Sequence, residues 1–188
     1  MEKAESKYYH SLYQVAAAIN SARASDLVLN SIVENVAKAM GVKACSLTLL
    51  APDRKLLFHA AAWGLSDWFI KMGPLAADKS IAEALEGKPV AVLDATSDER
   101  IQYPEQVKKE GIVSILSVPM MLREEIIGEV RVYTAEPRQF SEADIYFVGA
   151  VANLGAIALE NARLYEDAQK DYQVVMQEML EWRSPLGS

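Results

Sequence analysis

Residues 116–132 read LSVPMMLREEIIGEVRV, and this stretch decides the fold. Apolar residues dominate both of its ends, whereas Arg123, Glu124 and Glu125 carry three consecutive charges between them. Two apolar runs joined by a short polar segment are typical of a β-hairpin. We therefore predict a strand over residues 112–118, a hairpin over 120–128 and a final strand over 129–134.

Upstream of this hairpin, the apolar pattern predicts three more strands. Cys45, Leu47 and Leu49 alternate with polar residues, which is the two-residue period of a strand. A turn follows, and residues 56–62 read as the partner strand of a second hairpin. Residues 88–93 read as a further strand.

Helical periodicity flanks the predicted sheet. Near the N-terminus, apolar residues recur at alternating steps of four and three, and a second helix follows with a broader apolar face. Two short helical stretches, 80–85 and 104–111, lie among the strands. A long last helix begins at Ser141 and Asp144, which have the spacing of a capping box, and it cannot continue through Pro185.

This order of elements predicts an α+β fold, a mainly antiparallel sheet of five or six strands with helices packed on one face and long N- and C-terminal helices. At 188 residues the chain is long enough for one substantial core. The predicted organisation is an N-terminal dimerisation helix (1–24), a globular domain (25–165), a C-terminal signalling or coiled-coil helix (166–183) and a flexible tail (184–188).

Composition narrows the classes of partner. Twenty-six acidic against nineteen basic side chains give a formal charge of −7, which repels nucleic acid. The apolar runs are shorter than the ~20 residues of a spanning helix, so we expect no membrane segment. The N-terminal residues lack the pattern of a secretory signal, and the single cysteine, Cys45, cannot form an internal disulfide. Both features predict a cytoplasmic protein.

Several motifs together resemble a GAF domain, and the likeness covers roughly residues 25–165. The motifs of its later half are Leu116-Ser117-Val118-Pro119-Met120, Ile126-Ile127-Gly128-Glu129-Val130-Arg131-Val132, Phe140-Ser141-Glu142-Ala143-Asp144 and Ala156-Ile157-Ala158-Leu159-Glu160-Asn161-Ala162. Those of the earlier half are Ile32-Val33-Glu34, Met40-Gly41-Val42 and Gly87-Lys88-Pro89-Val90. The resemblance implies a PAS-related fold, a ligand pocket roofed by variable segments on one side of the sheet, and flanking helices that pair between subunits and transmit signals.

Specialised members of the family depend on particular residues, which can be compared with this chain one by one. Cys45 lies on a predicted strand among apolar residues, which favours an inert core thiol over covalent bilin attachment. The Asn-Lys-Phe-Asp-Glu signature of the cyclic-nucleotide-binding members is absent, and one cysteine cannot support the thiol–disulfide cycle of the sulfoxide-reducing members. Axial haem ligation by His59 stays open, and no cofactor is assigned.

The sequence shows no nucleophile with a base and no glycine-rich phosphate loop, so we expect no enzyme activity, no catalytic residues and no metal site. The resemblance instead directs attention to apolar and polar residues around the variable insert. The candidate ligand-binding residues are Trp68, Phe69, Met72, Asp94, Tyr103 and Val107. The alternative is that the apolar ones complete the core and that Asp94 serves a turn or a cap.

The terminal helices carry the second candidate surface, a dimer seam with four-three spacing. The candidate dimerisation residues are Leu12, Val15, Ile19, Tyr165, Tyr172, Val175, Met179 and Trp182, and Asn161 within the seam could fix its register. The alternative is that these helices pack only on their own domain.

These observations lead to a non-catalytic sensory domain that binds a small molecule and relays occupancy through a dimeric helical bundle. Its expected partners are a second copy, a small-molecule ligand and a signalling partner such as a histidine kinase or another output domain. The alternative is a ligand-free structural module for dimerisation or docking. A haem sensor or a small enzyme is the third option.

Overall fold

The computed structural model describes residues 2–21, 25–79 and 82–183, so the predicted tail 184–188 lies outside the described residues. The helices are α1 (Glu2–Ser21), α2 (Ser25–Met40), α3 (Asp67–Ile70), a 3₁₀ helix (Ala82–Glu86), α4 (Pro104–Lys109) and α5 (Glu142–Arg183). The strands are β1 (Ala44–Leu50), β2 (Leu56–Trp63), β3 (Leu75–Ala76), β4 (Val90–Val92), β5 (Ser114–Leu122) and β6 (Glu125–Thr134).

Within the described residues, six strands form one sheet in the order β3-β2-β1-β6-β5-β4. Every neighbouring pair is antiparallel, which confirms the predicted α+β architecture. The β5–β6 hairpin is tighter than predicted, because its strands pair up to Leu122 and Glu125 and leave only Arg123 and Glu124 in the turn. Both turn residues have positive φ, as a two-residue hairpin turn of the I′ type requires.

One face of the sheet, here called the helical face, is covered by α1, α2 and α5. Its core contains alternate residues of the central strands, such as Leu47, Val118 and Val130, packed against Ile32 of α2 and Val151 of α5. Residues that alternate along a strand point to one face, whereas the helices present one apolar stripe each. This layer therefore follows directly from the two periodicities in the sequence.

A polar cluster joins the first turn of α5 to α1 and α2. The main-chain N–H of Ser141 donates to Asp144 at 2.9 Å, and that of Asp144 donates to the Ser141 hydroxyl at 3.2 Å, which is the predicted capping box. The Tyr8 hydroxyl donates to Asp144 as well. Arg138 contacts Asp144 at 2.9 Å and the Met40 carbonyl at 3.0 Å. The start of α5 is thus fixed to both other helices of this layer.

The opposite face, here called the cavity face, is covered by the short elements α3, the 3₁₀ helix and α4 with their connecting loops. Phe69, Ala84, Val107 and Ile112 form a second apolar cluster there with residues of the strands. Consequently β1 is buried on both faces, and its polar residues Ser46 and Thr48 have no exposed surface. The sequence pattern alone suggests one solvated face for such a strand.

The long helix α5 divides into a packed half and a projecting half. Ala158 belongs to the core of the chain and Leu154 packs against that core, so the first part of the predicted seam is buried within the domain itself. Beyond it the seam residues Tyr165, Tyr172, Val175, Met179 and Trp182 are exposed, Trp182 to 92 %. On α1, Val15 is fully buried within the chain and offers no surface to a partner, because this stripe packs on the helical layer. Leu12 and Ile19 are partly buried beside it.

Candidate ligand-binding cavity

A small cavity lies between the cavity face of the sheet and the segments that cover it. Its lining residues are His59, Phe69, Met72, Leu75, Ile101, Gln102, Tyr103, Val107, Ile115, Arg131 and Tyr133. Its volume is about 20 Å³. Because a single water needs at least about 10–15 Å³, the cavity as it stands has room for about one water-sized molecule.

Below the cavity, β6 carries a buried ion pair, of which Arg131 lines the cavity floor. Alternation along this strand places Glu129, Arg131 and Tyr133 on the cavity face. The Arg131 guanidinium lies 2.5 Å from the Glu129 carboxylate, and their side chains are 4 % and 0 % exposed. Hydroxyl groups on the flanking strands complete the site: Ser117 donates to Glu129, and Thr48 does so at 3.4 Å. The floor is therefore polar but has no net charge.

A β-bulge turns His59 towards this floor. The pairing of β1 with β2 skips one residue, so Leu47 pairs with Ala61 while Thr48 pairs with His59. Ala61 belongs to the helical face, and the extra residue, Ala60, moves His59 to the other face. Burial, and then the charge of Arg131, lower the pKa of His59 to about 4, so the imidazole is neutral at pH 7.

A short segment, Ile101–Tyr103, separates the cavity from an open cleft. The cleft has a volume of about 770 Å³, and this segment lines both spaces. Gln102 holds the segment in place, because its side-chain oxygen accepts from the Ala76 N–H at 2.7 Å and its amide nitrogen donates to the Tyr103 hydroxyl at 2.8 Å.

A family model, described as "GAF domain", matches residues 25–159 of the chain. The chain belongs to the GAF domain family. This confirms the resemblance stated above, and members of this family are generally sensory or regulatory domains.

The similar proteins include bacterial phosphotransferase proteins. A curated relative from Escherichia coli K12, "Phosphoenolpyruvate-dependent phosphotransferase system", is 28 % identical over 156 residues, which cover 81 % of this chain and 21 % of the relative. The chain thus spans about a fifth of the length of that relative. The GAF domain of an Acinetobacter phosphoenolpyruvate-protein phosphotransferase superposes with a TM-score of 0.72 at 23 % identity, covering 85 % and 97 % of the two chains. The GAF domain of a phosphoenolpyruvate-protein phosphotransferase from Coxiella burnetii superposes with a TM-score of 0.77 at 19 % identity, covering 87 % of this chain and 98 % of that one.

Four of the six predicted ligand-binding residues meet in the wall of the GAF cavity, namely Phe69, Met72, Tyr103 and Val107. The other two lie elsewhere. Trp68 is 38 % exposed, because its neighbour Phe69 takes the inward position on a one-turn helix, and Lys109 lies 4.5 Å above its ring. Asp94 is exposed and accepts hydrogen bonds from the main chain and hydroxyl of Thr96, so it stabilises a local turn.

Sequence reasoning missed the polar floor of the GAF domain. Glu129 and Arg131 alternate with valines on the last strand, a pattern that usually marks a solvated face. The signal that could have identified them is their place on β6, the hairpin partner of β5, which the fold puts at the centre of the sheet. His59 was considered only as an axial haem ligand, and the bulge that turns it towards the cavity has no sequence signature.

The single cysteine of the chain lies away from the cavity of this GAF domain. Cys45 is fully buried on the helical face, and burial raises the pKa of its thiol, which makes the thiolate scarce. In the part of the chain that the structure describes, no three His, Cys, Asp or Glu side chains lie close enough to hold a metal ion.

Helix α5 of the GAF domain is long and apolar enough, by length and composition, to cross a membrane. Its apolar half is the part that packs on the sheet, where Val148, Val151 and Ala152 have no exposed surface. Core helices of soluble proteins have this composition, and GAF domains are typically soluble cytoplasmic domains.

Proposed function

We propose that this GAF domain is a non-catalytic sensory module that binds a small molecule in the cavity and relays its occupancy through a dimeric helical bundle to a signalling partner, such as a histidine kinase or another output domain. The observation that carries the proposal is the polar floor formed by His59 and by Arg131, which is paired with Glu129, beneath a mostly apolar roof. A mostly apolar pocket with a few convergent polar groups is the usual composition of a small-molecule site.

The covering segments are suited to move. Among the described residues of the roof, α3 has four residues and β3 has two, so neither is stabilised by a long run of backbone hydrogen bonds. A ligand larger than a water needs the segment Ile101–Tyr103 to shift, which would open the cavity into the cleft. Binding would therefore select a conformation with a displaced roof.

Hydrogen bonds connect the roof to the start of α5. The Ser114 hydroxyl donates to the Leu93 carbonyl at 2.6 Å and accepts from the main-chain N–H of Arg138 at 3.0 Å. Arg138 in turn contacts Asp144 in the first turn of α5. A shift of the loop after β4 would thus act on the residue that positions this helix, which supports a relay in this direction.

The projecting half of α5 supports a second copy of the chain as the partner of the relay. Tyr172, Val175, Met179 and Trp182 would stay in water in a monomer, and their four-three spacing suits a coiled coil. The double substitution Met179→Glu/Trp182→Glu should yield monomers in sedimentation velocity. The control Gln173→Glu/Gln177→Glu adds the same charge off the seam and should stay dimeric. An unchanged sedimentation coefficient in the seam variant would refute the dimer.

Native mass spectrometry of protein purified without denaturation tests the ligand. The expected result is a dimer with additional mass, which the cavity-filling variant Val107→Trp loses and the surface control Leu27→Trp retains. Circular dichroism of both variants checks that they fold. A dimer without additional mass that also fails a broad thermal-shift screen would contradict the sensory function.

That last outcome would favour the second candidate, a ligand-free structural module. The observation in its favour is the cavity volume of about 20 Å³, because the cavity's own side chains already fill most of the space. In this case the terminal helices would act in dimerisation or docking alone.

A further inference from the structure

Among the described residues that line the cavity, Arg131 is the ionised side chain, and its charge is compensated by Glu129, which contacts it on the same strand. Arg131 and Glu129 are in contact and almost fully buried, and Ser117 and Thr48 donate hydrogen bonds to the carboxylate. A ligand with an ionised group would add an uncompensated charge to this buried site. Burying such a charge is far more costly than burying a neutral group. The floor therefore selects against ions of either sign.

His59 adds a hydrogen-bonding group to the cavity without adding a charge. Its imidazole is neutral at pH 7 for the reasons given above. Its Nδ1 atom is buried and has no hydrogen-bond partner among the described residues. Leaving such an atom unpartnered is unfavourable, so a ligand group that bonds to Nδ1 gains affinity. His59 thus provides one point of polar recognition.

The open cleft outside the cavity disfavours anions in particular. Its ionisable lining residues are Asp78, Glu83 and Glu99 on the acidic side, with Lys79 and Arg100 on the basic side. Arg100 is paired with Asp98 at 2.6 Å and lies 3.8 Å from Glu83, so three acidic lining residues face two basic ones that are in part already paired. The path through the cleft is consequently negative on balance, and it lowers the local concentration of anions.

From these three features we propose that the ligand of this cavity carries no ionised group, is mainly apolar, and presents one hydrogen-bonding group to Nδ1 of His59. The apolar part would contact Phe69, Met72, Val107 and Ile115. This inference rests on the sensory function proposed above, and it specifies the chemical class of the ligand.

Three probes of nearly equal size and shape test whether the cavity excludes ionised ligands. Benzamide is neutral, benzoate is an anion and benzamidinium is a cation. The readout is the titration of ¹³C-methyl NMR signals of Met72, Val107 and Ile115 in the full chain. Benzamide should shift these signals with an affinity at least about tenfold higher than either ion. His59→Leu should weaken benzamide binding by about fivefold, and His59→Gln, which can still hydrogen-bond, should weaken it less.

The variant Glu129→Gln provides a reversed test. Glutamine keeps the size and hydrogen-bonding capacity of the side chain but removes the carboxylate charge that contacts Arg131. In this variant benzoate should bind better than benzamide, whereas in the wild type the order is opposite. A dispersed ¹H–¹⁵N spectrum establishes that each variant is folded.

The class of ligand is overturned if an ionic probe binds the wild type as well as benzamide does, or if none of the three shifts the cavity signals. It is also overturned if Glu129→Gln leaves the order of the probes unchanged. These outcomes differ from failure of the sensory function itself, which is decided by native mass spectrometry and the thermal-shift screen. A co-purifying molecule with an ionised group would be consistent with the sensory function but would refute the proposal that the ligand is uncharged.

Discussion

The buried pair Glu129–Arg131 allows the energetics of the cavity floor to be measured directly. Replacing Arg131 by methionine keeps most of its volume but leaves the Glu129 carboxylate without its cation. Unit charges about 4 Å apart interact by about 4 kcal/mol at an effective dielectric constant of about 20. Removal of one partner from a buried pair typically costs about 3–5 kcal/mol. Since both side chains are at most 4 % exposed, we expect Arg131→Met to lower the free energy of unfolding by about 3–5 kcal/mol.

The double variant Glu129→Gln/Arg131→Met removes both charges. Glutamine can still accept a hydrogen bond from Ser117 and donate one to Thr48, so we expect this variant to regain most of the loss. The free energies come from urea unfolding followed by far-UV circular dichroism at pH 7. Protein concentration is held constant, because association of the helices would add to the apparent stability.

An exposed ion pair in the same chain supplies the control. Arg123 lies 3.2 Å from Glu160, and its side chain is 78 % exposed. Arg123→Met makes the same chemical change in water, where an ion pair contributes at most about 1 kcal/mol. The reasoning is refuted if Arg131→Met costs no more than Arg123→Met, or if the double variant is as unstable as the single one.

Three substitutions and one labelling experiment test the packing of the helical layer and the sheet. Tyr8→Phe keeps the ring stacked on Phe147 but removes its hydrogen bond to Asp144, and should cost about 1.5–3 kcal/mol in urea unfolding. Burial acts to raise the pKa of Asp144, but its hydrogen bonds, led by that of the Tyr8 hydroxyl, hold it below 3.8. The contribution of ionised Asp144 to the free energy of unfolding is therefore present above pH 3.8 and is lost as the pH falls below that value. Asp144→Asn should flatten this acidic part of a plot of the free energy of unfolding against pH. Gly128→Ala should lose about 1–3 kcal/mol in thermal unfolding, because a Cβ there would lie 2.1 Å from a β1 carbonyl oxygen. Native Cys45 should resist a disulfide reagent and react only in urea, since burial raises the pKa of its thiol; rapid labelling of the folded protein would contradict its burial.

The sequence predicted helix starts correctly where neighbouring residues alone determine them. The capping box at Ser141 and Asp144 and the short helix opened by Pro104 are present, because their causes lie within a few residues. The β5–β6 hairpin was predicted with strands that were too short. Arg123 and Glu124 carry no turn signature, and only cross-strand pairing extends the strands up to them.

The candidate site was predicted less completely, because its residues come from distant parts of the chain. Phe69 and Val107 were identified from their place in variable segments, whereas the roles of Glu129 and Arg131 depend on what covers the strand that carries them. Charged residues that alternate with apolar ones along a strand are predicted to face solvent, and only the tertiary structure shows that a second layer covers them. The sequence gives the identity of each charged residue, but its burial, and hence the local dielectric constant, depends on tertiary packing.

The sequence by itself determined the family, the order of the longer elements and the helical layer, since strand alternation and helical stripes are periodic properties of short segments. The short elements α3 and β3 were not predicted, because four and two residues are too few to show a period. It also determined that α5 carries apolar residues beyond the domain. Only the tertiary structure decided which residues share the cavity, because a single bulge at Ala60 moves His59 to the face of Arg131. Side chains more than seventy residues apart in the chain acquire a common environment only when the sheet and its roof have closed around them.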